Sequence, residues 1–153
     1  MGRILDAVIA FLDEEGWAYS QIESRPILHM DYKGESGEWA CYAHAREEDE
    51  QFLFYSALPD RVPESKRLTA LEFITRVNYA IAIGNFEMDL DDGEIRFKTS
   101  IDAEGSDLQN EMIRQMVYSN VMSMDLFLPG IVEVVNQNAS PVAVLARLQA
   151  DDA

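Results

Sequence analysis

The stretch from Asn85 to Ile101 leaves few folds open to this chain. Apolar and polar residues alternate through Phe86-Glu87-Met88-Asp89-Leu90, then Asp92-Gly93 intervenes, and Ile95-Arg96-Phe97-Lys98-Thr99 alternates again. Alternation with period two is the pattern of a strand buried on one face, and Asp-Gly is a strong two-residue hairpin turn. With the turn centred on Asp92-Gly93, Leu90 faces Ile95, Met88 faces Phe97 and Phe86 faces Thr99. The same register sets Asp89 against Arg96 and Glu87 against Lys98, so opposite charges meet across the outer face. A slip of one residue would turn acids inward, which specifies the faces of the hairpin strongly. One apolar face needs a roof.

The remainder of the chain supplies it. Ile4, Leu5, Val8, Ile9, Phe11 and Leu12 have helical spacing, and Gly16 ends that helix with Trp17 placed to fold back on Leu12. Asp13, Glu14 and Glu15 stand at its C-terminal end, where the helix dipole disfavours acids. A strand is expected to begin within Tyr19 to Ile22. Ile27 to Lys33 alternates, the Gly34 to Gly37 segment turns, and Glu38 to Arg46 alternates with Trp39, Cys41, Ala43 and Ala45 on one side. Gln51 to Leu58 is apolar on both faces and belongs in the centre of a sheet or under a second cover. Residues 64 to 83 have a helical stripe of Leu68, Leu71, Ile74, Val77 and Ile81, widened by Ala70, Phe73 and Ala80, with Gly84 as the stop.

A third helix begins after Ser106, which with Gln109 has the spacing of a capping box. Its apolar period continues through Pro129, predicting a kink there with helix on both sides. Ser140-Pro141 opens a short last helix, and Asp151-Asp152-Ala153 is expected to fray. The fold class is therefore α+β: one domain over residues 1–153, an antiparallel sheet of about five strands, helices packed on one face, in the order α-βββ-α-ββ-α-α.

Charge narrows the function. The chain has 28 Asp and Glu against 12 Lys and Arg, a formal net charge of -16. Such a surface repels phosphate backbones and anionic lipid, which argues against nucleic acid and membrane partners. One cysteine excludes an internal disulfide and a multi-cysteine zinc site. Asp6 interrupts any signal-peptide run and no apolar segment has the length of a membrane span, so the expected location is cytoplasmic.

No residue set announces a reaction. Asp89, Asp91, Asp92 and Glu94 are acids around a glycine, but counted from Asp89 the glycine falls one place short of the EF-hand position, and strands flank the loop. Cys41 and His44 are an odd number apart on one strand and point to opposite faces, so they cannot pair as nucleophile and base or as metal ligands. No metal and no cofactor is expected. Met112, Met116, Met122 and Met124 enrich the third helix in methionine, an adaptable contact residue that also serves plain core packing. Met112, Met116, Met124 and Phe127 are the candidate residues for contact with a partner or a second copy.

A family resemblance rests on Phe73-Ile74-Thr75-Arg76-Val77-Asn78, Gly84-Asn85-Phe86-Glu87-Met88-Asp89, Gly93-Glu94-Ile95-Arg96-Phe97-Lys98-Thr99-Ser100 and Leu128-Pro129-Gly130. Together these resemble the YbjN family, a group associated with bacterial sensory transduction. The resemblance implies a fold similar to type III secretion chaperones, which are acidic, often homodimeric, and bind peptide segments of partner proteins. It brings no catalytic residues. The expected function is a non-enzymatic protein-binding regulator or chaperone-like adaptor, with a protein or peptide partner and a homodimer in prospect. The alternatives are a dedicated secretion chaperone for one effector and a hydrolase using surface carboxylates such as Glu87 and Asp89.

Overall fold

The alternating segments form strands and the periodic ones form helices. The computed structural model describes residues 2–152, with the side chain of Asp152 and the whole of Ala153 outside the description; of the end expected to fray, Asp151 and Asp152 instead continue the last helix. In chain order the elements are α1 (Arg3–Glu15), β1 (Ser20–Gln21), β2 (Ile27–Lys33), β3 (Glu38–Arg46), β4 (Gln51–Ala57), α2 (Arg67–Ala80), β5 (Asn85–Met88), β6 (Ile95–Asp102), α3 (Asn110–Asn136) and α4 (Pro141–Asp152). The strands make one antiparallel sheet in the order β1-β2-β3-β4-β6-β5. The sheet has six strands where the sequence predicts about five, because Ser20 and Gln21 pair with His29 and Leu28.

Every helix lies on one face of this sheet. Leu28, Met30, Trp39, Cys41, Phe52, Phe54, Ile95 and Phe97 point under the helices and are buried with Phe11, Phe73, Val77, Ile113, Val121 and Ile131. Burying each large apolar side chain contributes about 1.5–3 kcal/mol, so this single core holds the layers together. β4 is central, as its two apolar faces require, but no helix among the described residues lies over its second face.

α1 ends as its sequence predicts. Gly16 has φ +75°, its N–H donates to Asp13, and Trp17 N–H donates back to Leu12, the two bonds of a Schellman ending. The start of α1 is capped from a distance: the Glu47 carboxylate accepts from the backbone N–H groups of Ile4 and Leu5 at 3.0 and 2.8 Å.

Four expectations change. The hairpin register moves by two residues, with Phe86 opposite Phe97, Glu87 opposite Arg96 and Met88 opposite Ile95. Its apolar and polar faces are preserved, since the shift is even. The loop widens because its end is held by the preceding connection: Val62 N–H donates to Gly93 O at 2.9 Å, and Gly93 N–H closes on Asp89 O at 2.7 Å. Gly93 (φ +82°) sits where a Cβ would lie 2.2 Å from Val62 O. Leu90 is left exposed instead of facing Ile95.

α2 also starts later and stops earlier than its apolar stripe implies. A 3-10 turn occupies Glu64–Lys66, the helix ends at Ala80, and Leu68 is 78% exposed. The buried side is Ile74 and Val77 from the stripe with Ala70 and Phe73 from its widened flank. Gly84 packs beyond the helix against the Phe97 ring. Ser106 does not cap α3. Its N–H closes a turn on Ala103 O, and the helix begins at Asn110 after Leu108 has reached the core. α3 passes through Pro129 without a break. Ser140 does cap α4, its hydroxyl accepting from Ala143 N–H.

Candidate functional site: an open strand edge beside an aromatic row

The two sides of the sheet end differently. β5 forms one edge, and its outward groups at Phe86 are already taken: Phe86 N–H donates to Asn78 Oδ1 at 2.7 Å and Asn78 Nδ2 donates to Phe86 O at 3.0 Å. A side chain of α2 thus blunts that edge.

At the other edge β1 covers only part of β2. Ile22 N–H bonds Ile27 O, and Ser20 pairs with His29, so Ile27 and His29 present their main-chain groups to β1. Alternation then turns the N–H and C=O of Asp31 and Lys33 outward as well. β1 stops before reaching them. Half of β2 is an unfinished ladder.

Aromatic rings line its inner side. Tyr118 of α3 meets Trp17 edge-on at 5.9 Å, Trp17 lies 5.5 Å from Tyr32, and Tyr32 lies 5.3 Å from Trp39. Trp17 comes from the turn after α1, Tyr32 from β2 and Tyr118 from α3, so tertiary structure assembles the row. Trp17, Ala18, Asp31, Tyr32, Lys33 and Tyr118 bound a cleft of ≈ 320 Å³. A wider, shallower one of ≈ 790 Å³ adjoins it at Tyr32 and Lys33 and is floored by Met122, Asp125 and Leu126. Met122 is 67% exposed there.

Polar groups hold the row in place. The Glu15 carboxylate accepts from the Tyr118 hydroxyl at 2.8 Å and from Arg114 at 2.9 Å, and these bonds keep it below the usual carboxylate range. Tyr118 is raised by burial and by that same bond, and Tyr32 by burial, then by the charge of Asp125. Both tyrosines therefore stay protonated and keep a hydroxyl donor at neutral pH. The acids that disfavour the helix dipole at the end of α1 acquire a reason: Asp13 accepts from Tyr19 OH at 2.7 Å, and Glu15 orients Tyr118.

The residues singled out in the sequence are placed as follows. Met124 and Phe127 are buried in the core, and Met112 and Met116 pack half-buried against it. Met122 is the exposed methionine of the group. Cys41 is buried beside Ser56, with burial pushing its thiol up to about 12, and His44 points to the opposite face. Glu87 sits between Arg96 at 2.5 Å and Lys98 at 3.2 Å; burial raises its carboxyl, but the bonds to Arg96 and Lys98 outweigh that and hold it low. Asp92 pairs with Arg61 and accepts from Glu94 N–H. No helix among the described residues is long and apolar enough to cross a membrane. The aromatic row escapes a sequence reading because Trp17, Tyr32 and Tyr118 are far apart in the chain. The one signal for it was the unexplained acid run ending in Glu15.

A strand edge beside apolar clefts can hold an extended polypeptide by main-chain hydrogen bonds, with alternate side chains seated in the clefts. Comparison with known proteins bears on that geometry. Among solved structures the fold matches the crystal structure of YbjN from E. coli at 15% identity, over 87% of this chain and 92% of that one, with a TM-score of 0.64. It matches a structure of the ExsC-ExsE complex at 13% identity, over 84% and 96% of the two chains, with a TM-score of 0.58. It also matches a structure of the HopA1-SchA chaperone-effector complex at 14% identity, over 84% and 91%, with a TM-score of 0.51. At these identities the likeness is one of fold alone, an α+β fold like that of type III secretion chaperones. A comparison with curated proteins finds no match. The sequence profile described as "YbjN: Putative bacterial sensory transduction regulator" matches residues 5–133, most of the chain, and the protein therefore belongs to the YbjN family.

Proposed function

We propose that this protein is a non-enzymatic, protein-binding regulator or adaptor of the cytoplasm that takes up an extended segment of a partner protein along the free half of β2. The observation that carries the reading is the contrast between the two sheet edges: Asn78 closes β5 at Phe86, whereas β1 leaves Asp31 and Lys33 open beside Trp17, Tyr32 and Tyr118. An added strand would gain main-chain bonds at Asp31 and Lys33, and its inward side chains would enter the two clefts. The aromatic lining favours apolar or aromatic residues at alternate positions of the partner. Two of the fold neighbours are structures of complexes with a protein partner, which supports a polypeptide occupant.

A dedicated chaperone for one effector is the narrower form of the same reading. The carboxylate-enzyme alternative has less support, because Glu87 is committed to ion pairs with both Arg96 and Lys98 and is poorly suited to proton transfer.

The test is selection from a library of extended peptides displayed with alternating apolar positions, followed by titration of the isolated protein. The reading expects binders whose affinity falls at least tenfold in Trp17→Ala and Met122→Asp, and remains in Asn78→Ala. Selection of no binder, or of binders indifferent to Trp17, would contradict it.

A further inference from the structure

A third cavity lies apart from the free edge of β2. The connection after β4 forms one wall, with Leu58, Pro59 and Val62, and the second half of α3 forms the other, with Leu128, Pro129 and Val132. It holds ≈ 460 Å³, the room of about fifteen waters at ~30 Å³ each. Pockets for small molecules begin at about 300 Å³ and are mostly apolar, with a few placed polar groups. Val62 and Leu128 are buried at its floor, and Val132 is 38% exposed at its mouth. Ser36 is the one lining residue it shares with the wide cleft at Met122, and it shares none with the Trp17 cleft. Both walls are held in place. Leu58 N–H donates to Ile95 O at 2.8 Å, Val62 N–H to Gly93 O at 2.9 Å and Arg67 Nε to Val62 O at 3.0 Å, which fixes the connection at its two ends. On the helix side Arg147 of α4 donates to the Glu133 carboxylate at 2.9 Å. A cavity with ordered walls costs a ligand little to enter.

The open polar groups of this cavity are acceptors. Ala40 pairs with Ala57, and the same register continued puts Pro59 opposite Glu38. Proline has no N–H to return, so the Glu38 carbonyl opens on the cavity without a ladder donor. Asp60 is exposed at the mouth and has no ion pair among the described residues. Arg61 is the one cation in the lining, and Asp92 and Glu94 already hold it. The net charge of -16 draws cations into such a cleft and repels anions.

We infer that this cavity binds a small organic ammonium, a primary amine on a ring-sized apolar body. The body sits between Val62 and Val132, and the ammonium N–H groups bond the Glu38 carbonyl and the Asp60 carboxylate. An organic acid of the same shape would meet two acceptors and no free cation. The inference goes beyond the proposed peptide site and does not use the edge of β2.

The experiment is titration of the isotope-labelled full chain with tryptamine, its neutral analogue tryptophol and its acidic analogue indolepropionate, read from backbone amide shifts. The expected result is saturable shifts at Glu38, Val62 and Val132, with tryptamine bound at least tenfold more tightly than indolepropionate. Asp60→Asn is expected to weaken tryptamine at least threefold and to leave tryptophol unchanged. Val132→Trp, which fills the mouth, is expected to abolish binding of both. Asp60 is exposed, so its variant leaves the core untouched and guards against misfolding as the cause. Trp17→Ala is expected to bind tryptamine as the parent chain does. No saturation, equal affinity for the amine and the acid, or shifts centred on Trp17 and Tyr32 would overturn the inference. Peptide selection at the β2 edge is read independently, so the two proposals fail separately.

Discussion

The hydroxyl of Ser36 donates at 2.7 Å to the backbone carbonyl of Asp125, the acceptor that Pro129 leaves without its helical donor. Proline at the fourth position after a carbonyl removes the N–H that would have bonded it. Here the turn between β2 and β3 supplies the missing donor, and the Asp125 carboxylate in return accepts from the N–H groups of Glu35 and Ser36. The exchange fastens that turn to the middle of α3 and explains how the helix continues through proline. Ser36→Ala is expected to cost about 1 kcal/mol. Pro129→Ala is expected to gain far less than the ~3 kcal/mol that removing proline from a helix interior ordinarily yields. Urea denaturation of the two variants measures both.

The same carboxylate makes stability depend on acid. Burial raises the Asp125 carboxyl, but the bonds from Ser36 and Glu35 outweigh it and hold the group below the ordinary range. A carboxyl depressed in the folded state stabilises fully above its unfolded pKa, and that contribution disappears as pH falls through the folded value. The stability gap between wild type and Asp125→Asn is therefore expected to be constant from neutral pH down to about 5 and to shrink below ~3.9, the ordinary aspartate value. Denaturation midpoints measured across that window give the comparison.

Two glycines with positive φ should respond differently to alanine. At Gly16 (φ +75°) nothing lies within 4 Å of an added Cβ, so Gly16→Ala is expected to cost only the left-handed backbone penalty, ~1–2 kcal/mol. At Gly93 the Cβ would strike Val62 O, and the hairpin loop or the 59–63 connection must move. Gly93→Ala is expected to cost clearly more than Gly16→Ala and to shift the backbone resonances of Val62 and Leu90. Equal costs would mean that the loop is not held by that contact.

Asn120 is buried under the sheet, where Nδ2 donates to Phe54 O, Phe97 O and Thr99 Oγ1 at 2.9, 3.0 and 3.2 Å, while Oδ1 has no partner. Burying an unpaired acceptor is costly, and both carbonyls already stand in the ladder between β4 and β6. Asn120→Leu is therefore expected to cost less than ~1.5 kcal/mol, and Asn120→Asp several kcal/mol, because the charge is buried among carbonyl oxygens. Thermal melts of the pair at neutral pH give the order.

Local pattern carries much of this fold. Alternation marks β2 and β3 over Ile27–Lys33 and Glu38–Arg46, and Gly16 marks the end of α1, because each signal is contained in a few neighbouring residues. The hairpin faces are legible for the same reason. Its register is not, since Val62 holds Gly93 from another part of the chain. Leu68 looks buried by spacing, but the 3-10 turn at Glu64–Lys66 changes where the helix starts and turns it outward. The candidate site was the least legible part. Met124 and Phe127 obey helical period and go into the core, whereas the exposed row joins Trp17, Tyr32 and Tyr118 from three separated elements.

The most direct measurement of the account is amide hydrogen exchange along β2, read residue by residue before and after a selected peptide binds. In the free protein the N–H groups of Asp31 and Lys33 should exchange quickly while those of Met30 and Tyr32, bonded to β3, are protected; peptide should then slow Asp31 and Lys33 at least tenfold. Protection of Asp31 and Lys33 without peptide, or slowing confined to Met88 on the opposite edge, would contradict it.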